Sequence, residues 1–258
     1  MVEYTGTIRV VNMAPLNGTC HSPVWIGLHN GTFDMFDLGM QASASLEAMA
    51  EDGDLLPIVR EFDRDESAVW NDIVGDGPIC PGEATKIRFN ITFNPGSTLY
   101  LSYAAKVLPS NDAFVANDDP MEHKLFREGG KPDFDEMFKI IARGREVLDA
   151  GTELNDELPE NTAFLEQETP NTGFSVIPFG AVVAPHPGFK APGEGGILDE
   201  PDFVNATFTE DGYKILRIVV ILDEEDSPEE ASPDDETSPD DATPIPVDGG
   251  LLRRRRFF

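Results

Sequence analysis

Apolar and polar residues alternate with a period of two over much of the first two hundred positions. The cleanest case is 84–93, with Ile87, Phe89, Ile91 and Phe93 on one side and Lys86, Arg88, Asn90 and Thr92 on the other. That is the pattern of a half-buried β-strand. Residues 4–11 alternate less strictly, and 22–28 form an apolar run ended by His29-Asn30-Gly31-Thr32. Residues 98–107 and 213–222 also read as strands, the last as a buried closing strand. The turn Asn94-Pro95-Gly96-Ser97 between 84–93 and 98–107 predicts an antiparallel hairpin. Helical spacing is rarer. It appears at 43–51, with Leu46, Met49 and Ala50 on one face and Ser43 or Ser45 as the cap, and as a short turn at 55–62. It appears again at 134–141, through Phe134, Met137, Phe138 and Ile141. The sum is a mainly β chain, an antiparallel two-sheet sandwich with two or three short helices.

The pattern stops near residue 223. Residues 223–248 hold twelve acidic residues, no basic ones and repeated Ser-Pro-(Asp/Glu) units. A stretch of that composition has too little apolar surface to build a core. The expected division is therefore a folded domain over 1–222 and a disordered acidic tail over 223–258. The terminal Arg253-Arg254-Arg255-Arg256-Phe257-Phe258 admits three readings: pairing with the acidic tail, a membrane-surface contact, or the remnant of a longer reading frame.

The 258 residues are 40% hydrophobic, enough for a substantial core. The formal net charge of −29 argues against nucleic acid or an anionic membrane as a general surface partner. It fits a saline extracellular setting, where salt screens self-repulsion, and it fits cation binding. No stretch approaches 18 apolar residues, so no transmembrane segment is expected, and no secretory leader is visible. Cys20 and Cys80 both sit in Pro/Gly-containing loops; a disulfide is one reading and two separate buried thiols the other. Asn-X-Thr acceptors at Asn17, Asn30, Asn90 and Asn205 are candidate glycosylation sites.

The candidate chemistry lies in two acidic motifs, Pro109-Ser110-Asn111-Asp112 and Asp149-Ala150-Gly151-Thr152-Glu153. Carboxylates brought together from separate loops repel, and a hard, oxygen-coordinated cation relieves that repulsion. The bland reading is that acidic residues in such loops form turns and solubilise. Other constellations are weaker. His21, His29, His123 and His186 show no metal or triad spacing and read as core or surface residues. Nothing separates the environments of Asp149 and Glu153 as a glycosidase pair requires. Trp25 and Trp70 read as packing residues, and Phe33, Phe36 and Phe114 as core in preference to a binding rim.

Several ordered motifs together resemble the spondin domain of F-spondin, mindin and many microbial secreted proteins. They begin with Pro23-Val24-Trp25-Ile26-Gly27-Leu28-His29. Phe36-Asp37-Leu38-Gly39-Met40-Gln41-Ala42-Ser43 and Leu46-Glu47-Ala48-Met49-Ala50-Glu51-Asp52-Gly53-Asp54 follow, resembling that family's G-x-x-A-S…L…A-E-x-G helix. Then come Gly77-Pro78 and Pro81-Gly82. The segment 101–115 is similar to S-F-x-x-M-x-x-P-S-x-D-x-F-V, and 149–153 to D-A-G-T-(D/E). The resemblance covers roughly residues 5–222. It implies a C2-like antiparallel sandwich with one divalent cation, usually calcium, at an edge. Carried over by motif, the metal ligands are Asp112, Asp149 and Glu153. Glu153 stands where the animal proteins commonly have Asp and is one methylene longer. No residue is assigned to an additional upstream carboxylate ligand.

The function implied is that of a secreted or cell-surface calcium-binding module for adhesion or matrix interaction, non-enzymatic, with an unknown extracellular protein or surface glycan as partner. The animal relatives contact integrins and matrix. Two alternatives stand beside it: a structural envelope domain in which the cation only stabilises the fold, and a carboxylate metallohydrolase. Calcium affinity of the extracellular type, about 10⁻⁴ to 10⁻³ M, is expected.

Overall fold

A computed structural model describes residues 1–167 and 181–223. In chain order they form β1 (Val2–Asn12), β2 (Cys20–His21), β3 (Val24–His29), helices α1 (Ala44–Asp52) and α2 (Leu56–Phe62), β4 (Ala68–Val74), β5 (Ala84–Phe93) and β6 (Leu99–Leu108). After these come β7 (Ala113–Ala116), β8 (Lys124–Phe126), β9 (Phe138–Arg143), β10 (Leu148–Asp149), β11 (Ala184–Pro185) and β12 (Lys214–Leu222). The strands make two antiparallel sheets. One has four strands in the order β5-β1-β12-β9; the other has eight, with β11-β10-β7-β6-β3-β4 as its path and β2 and β8 also paired to β6. The described residues form one compact unit. The acidic tail lies outside the described residues except for Asp223, which belongs to the folded unit: it accepts a hydrogen bond from Thr5 Oγ1 at 2.6 Å and pairs with Arg88.

The alternation seen in the sequence is the packing code of the sandwich. Phe89, Ile91 and Phe93 of β5, Ile8 and Val10 of β1, and Ile218 and Val220 of β12 face inward from the small sheet. Ile26 and Leu28 of β3 and Leu101, Tyr103, Ala105 and Val107 of β6 meet them from the large sheet. The opposite face of the large sheet is covered as well. Trp25, Ala104, Phe114 and Leu148 project there and pack against Leu46, Met49, Ile58 and Phe62 of the two helices. Strands buried on both faces lose their alternation, which is why β3 and β6 read as continuous apolar runs.

Two expectations are corrected. β5 and β6 do not form a hairpin: β5 pairs with β1 alone, while β6 pairs with β2, β3, β7 and β8. The turn at 94–97 carries the chain from one sheet to the other, so both strands keep an inward apolar face without touching by backbone. The helix expected at 134–141 is absent; β9 begins at Phe138, and Ile140 and Ala142 alternate into the core beside β12. Met137, the residue that completed the helical spacing, is exposed. The helices at 44–52 and 56–62 match expectation. Ser43 caps α1 by accepting from Leu46 N at 3.2 Å, and Gly53 ends it in the left-handed region at φ 69°. Among the described residues no helix is long and apolar enough to cross a membrane.

Candidate functional site

The Pro109–Asp112 motif leaves the C-terminal end of β6, and each of its polar residues closes a different connection. Ser110 Oγ donates to Val107 O at 2.6 Å and accepts from Ala113 N at 3.1 Å, which folds the turn. Asn111 reaches forward, donating to Asn161 O at 3.1 Å and accepting from Glu157 N at 3.3 Å. Asp112 reaches to the second motif. Its Oδ2 accepts from Thr152 N at 2.8 Å, Glu153 N at 3.1 Å and Thr152 Oγ1 at 3.3 Å. Strand β10 lies beside β7, with Asp149 opposite Ala113, so the two motifs meet as continuations of neighbouring strands. Gly151 has φ +68°, and a Cβ there would stand 2.8 Å from Val182 O, so the loop needs glycine on both counts.

This juxtaposition leaves unsatisfied oxygens. Asp112 is fully buried and its Oδ1 has no hydrogen-bond partner; Glu153, 5% exposed, leaves Oε2 in the same state. A third carboxylate with a buried, unpartnered oxygen is Glu51, 3% exposed, through its Oε1. It sits in the last turn of α1, where the helix dipole disfavours negative charge. Burial is the main cause of an upward shift at all three. Asp149 adds to it at Asp112, with the Glu153 and Thr152 amides opposing. Glu51 adds to it at Glu153, which is raised to about 8. At Glu51 the Thr152 hydroxyl is the main opposing influence. A buried carboxylate oxygen without a donor is costly, and a proton or a hard cation can each relieve that cost.

Asp149 behaves differently. Its Oδ1 accepts from Gly151 N at 2.7 Å and its Oδ2 accepts from Asn155 Nδ2, so both oxygens are engaged within its own loop. Among the described residues no group of three or more His, Cys, Asp or Glu side chains is disposed to hold a metal ion. Of the expected ligand set, Asp112 and Glu153 come together through the 112–152/153 clamp, while Asp149 acts on Asp112 through its charge.

Sequence reasoning missed two members of the site. Glu51 is a buried carboxylate upstream of both motifs, and its signal was a glutamate next to the buried Met49 and Ala50 of α1. Lys106 is fully buried, and its Nζ donates to Ala50 O and Asn111 O, both at 2.5 Å, and to Ser110 Oγ at 3.3 Å. Burial pushes its pKa down to about 8, against the opposing pull of Asp112 and Glu153. Its signal was a single charge inside the apolar run of β6.

The remaining candidates fall away from this site. Cys20 and Cys80 are joined in a disulfide. Asn30, Asn90 and Asn205 are exposed and Asn17 is half-buried, with its Nδ2 donating to Pro201 O at 3.1 Å. Phe33, Phe36 and Phe114 are buried in the layer between the helices and the large sheet. Trp70 packs its ring on Phe89.

All four histidines have pKa values lowered to about 4, chiefly by burial. A lowered histidine stabilises the fold fully above 6.5, and that contribution is lost as pH falls through 4. For His21, fully buried, the displacement is worth on the order of 3 kcal/mol. Glu153 has the opposite sign: its contribution is complete below 4.5 and is lost as pH rises through about 8. In chelator, thermal stability is therefore expected to rise from pH 4 to a maximum near pH 6.5 and to decline toward pH 8. Unfolding curves at a series of pH values check this; a midpoint flat between pH 4 and 6.5 contradicts it.

No protein-family model matches the chain, and no curated protein is similar to it. The spondin resemblance rests on its motifs.

Proposed function

We propose that this chain is a secreted or cell-surface, spondin-type β-sandwich that binds one calcium ion and serves adhesion or surface interaction without being an enzyme. The observation that carries the reading is the set of three buried, unpartnered carboxylate oxygens: Asp112 Oδ1, Glu153 Oε2 and Glu51 Oε1. Asp112, Glu153 and Glu51 are not disposed as a ready-made ligand cluster, so holding the ion would draw their unpartnered oxygens together, with backbone carbonyls and water completing a shell of about 6–8 oxygens. Bound there, calcium would supply positive charge to carboxylates that burial otherwise forces toward the protonated state. The Cys20–Cys80 disulfide supports an oxidising compartment. The exposed acceptors Asn30, Asn90 and Asn205 are compatible with glycosylation.

Calorimetric titration of the whole chain with calcium tests the reading. One ion per chain is expected, with Kd of about 10⁻⁴ to 10⁻³ M. Calcium at 100 times Kd is expected to raise the unfolding free energy by about 2.7 kcal/mol. Asp112→Asn, which keeps the side-chain volume, is expected to abolish the calcium effect. Absence of both binding heat and stabilisation sinks the proposal.

The second reading, a structural domain in which the cation only stabilises, is favoured by Lys106, which ties the same segments without a metal. Screening the chain against matrix proteins and glycans, in calcium and in chelator, separates the two. Calcium-dependent capture supports adhesion; stabilisation with no capture supports the structural role.

A further inference from the structure

Among the described residues, Lys106 is the only lysine or arginine whose side chain is buried, and it lies at the root of the two segments that carry the site. Its Nζ bonds to the carbonyl of Ala50, the residue before Glu51, and to the carbonyl of Asn111, the residue before Asp112. Ala50 O belongs to the last turn of α1, where carbonyls lack partners inside the helix. The third contact of the ammonium is Ser110 Oγ. An ammonium has three protons, and all three point to carbonyl or hydroxyl oxygens. The positive charge therefore sits next to Asp112, Glu153, Asp52 and Glu51, whose influence it feels, without occupying the unpartnered carboxylate oxygens. The side chain projects from β6 where the strand is bonded on both sides: Lys106 lies opposite Phe114 of β7, donates from its backbone N to Ser22 Oγ and accepts at its carbonyl from Ser22 N, both at 3.0 Å.

We propose that Lys106 is a fixed internal counter-ion of the calcium site, one that assembles the Glu51 and Asp112 segments in the cation-free protein and holds calcium affinity low. The inference rests on the calcium reading above and adds a residue that tunes the same site. Two consequences follow from one charge. Without calcium, the ammonium offsets carboxylate repulsion and crosslinks α1 to the 110–112 turn. With calcium arriving, the same charge repels the ion at short range in a site shielded from solvent, where screening is weak. A neutral side chain of similar length removes both effects: the ion must then drive the assembly, which raises cation dependence, while the lifted short-range repulsion exceeds that assembly cost and raises affinity.

The experiment uses the full chain with Lys106→Met and Lys106→Gln, the second keeping a hydrogen-bond donor while removing the charge. Calcium itself is the probe, followed by calorimetry and by thermal unfolding in chelator and in saturating calcium. Both variants are expected to bind calcium at least tenfold more tightly than the wild type. In chelator their melting points are expected to fall below that of the wild type and to recover on adding calcium. A variant unfolded in chelator but folded in calcium also supports the proposal, since the ion has then replaced the ammonium. A variant unfolded in both conditions overturns it and leaves Lys106 a purely structural residue. If the wild type binds calcium and the variants bind it no more tightly, the counter-ion role is wrong and the calcium reading stands. If neither wild type nor variants bind calcium, both fall.

Discussion

Replacing both Cys20 and Cys80 with serine is expected to lower the unfolding free energy by about 4 kcal/mol, the loop-entropy value for a crosslink spanning 60 residues. In a domain of this size that corresponds to a fall in melting temperature of roughly 10 °C. The bridge has local work beyond its loop. Cys20 lies in β2, opposite Leu108 at the end of β6, and packs with Leu108, Ile197, Leu198, Phe203 and Ala206. Residues 109–112 begin immediately after Leu108, so the disulfide anchors the strand end from which the Asp112 turn departs. If calcium binds as proposed, the double variant should therefore also weaken the calcium response. Thermal unfolding of wild type, variant and reductant-treated wild type checks the prediction. A loss below about 1 kcal/mol would mean that the unfolded chain is already held compact by other contacts.

Trp25→Ala is expected to cost about 3–5 kcal/mol, the range for deleting a buried tryptophan side chain. Trp25 has no exposed surface. It projects from β3 away from the sandwich core and meets Phe33 at 5.7 Å and Phe62 at 5.3 Å between ring centroids. Its indole Nε1 donates to Asn71 Oδ1 at 3.2 Å. This is the layer on which α1 and α2 rest, and α1 delivers Glu51 and Ala50 to the candidate site. The cavity left by alanine should loosen the helices before the sandwich. If calcium binds as proposed, its affinity should weaken as well as stability, while Trp25→Phe should retain most of both. Urea unfolding with calcium titration of the same samples measures the two effects. A calcium affinity that survives Trp25→Ala intact would show that Glu51 does not depend on the helical layer.

Most of the fold was legible because half-buried strands announce themselves. The inward face of β5 can be read off 84–93 directly. The runs that became β3 and β6 were recognisable as strands, but their partners were not, since apolar residues on both faces carry no information about which sheet they join. Hence the turn at 94–97 read as a hairpin when it is a crossing between sheets. The segment at 134–141 misled for a related reason. Phe134, Met137, Phe138 and Ile141 satisfy a helical period, yet the open edge of β12 offered backbone hydrogen bonds that β9 takes, with Ile140 and Ala142 inward instead. Tertiary pairing outweighed local periodicity.

The site divides along the same line. Asp112 and Glu153 were visible as acidic loop residues in ordered motifs, and Gly151 as the residue that lets their loop turn. Their meeting depends on β7 and β10 lying side by side, a pairing between segments some forty residues apart. Glu51 and Lys106 enter only because α1 packs its last turn over β6, and no local pattern encodes that approach. By itself, then, the chain's alternation determined a two-sheet β protein with short capped helices, and its residue types put the candidate chemistry in oxygen-rich, acidic loops. Which carboxylates are buried together, that Asp149 spends its oxygens on its own loop, and that a lysine stands beneath the site were decided by packing. Burial and hydrogen-bond satisfaction are properties of neighbours brought from distant parts of the chain, and a linear pattern does not carry them.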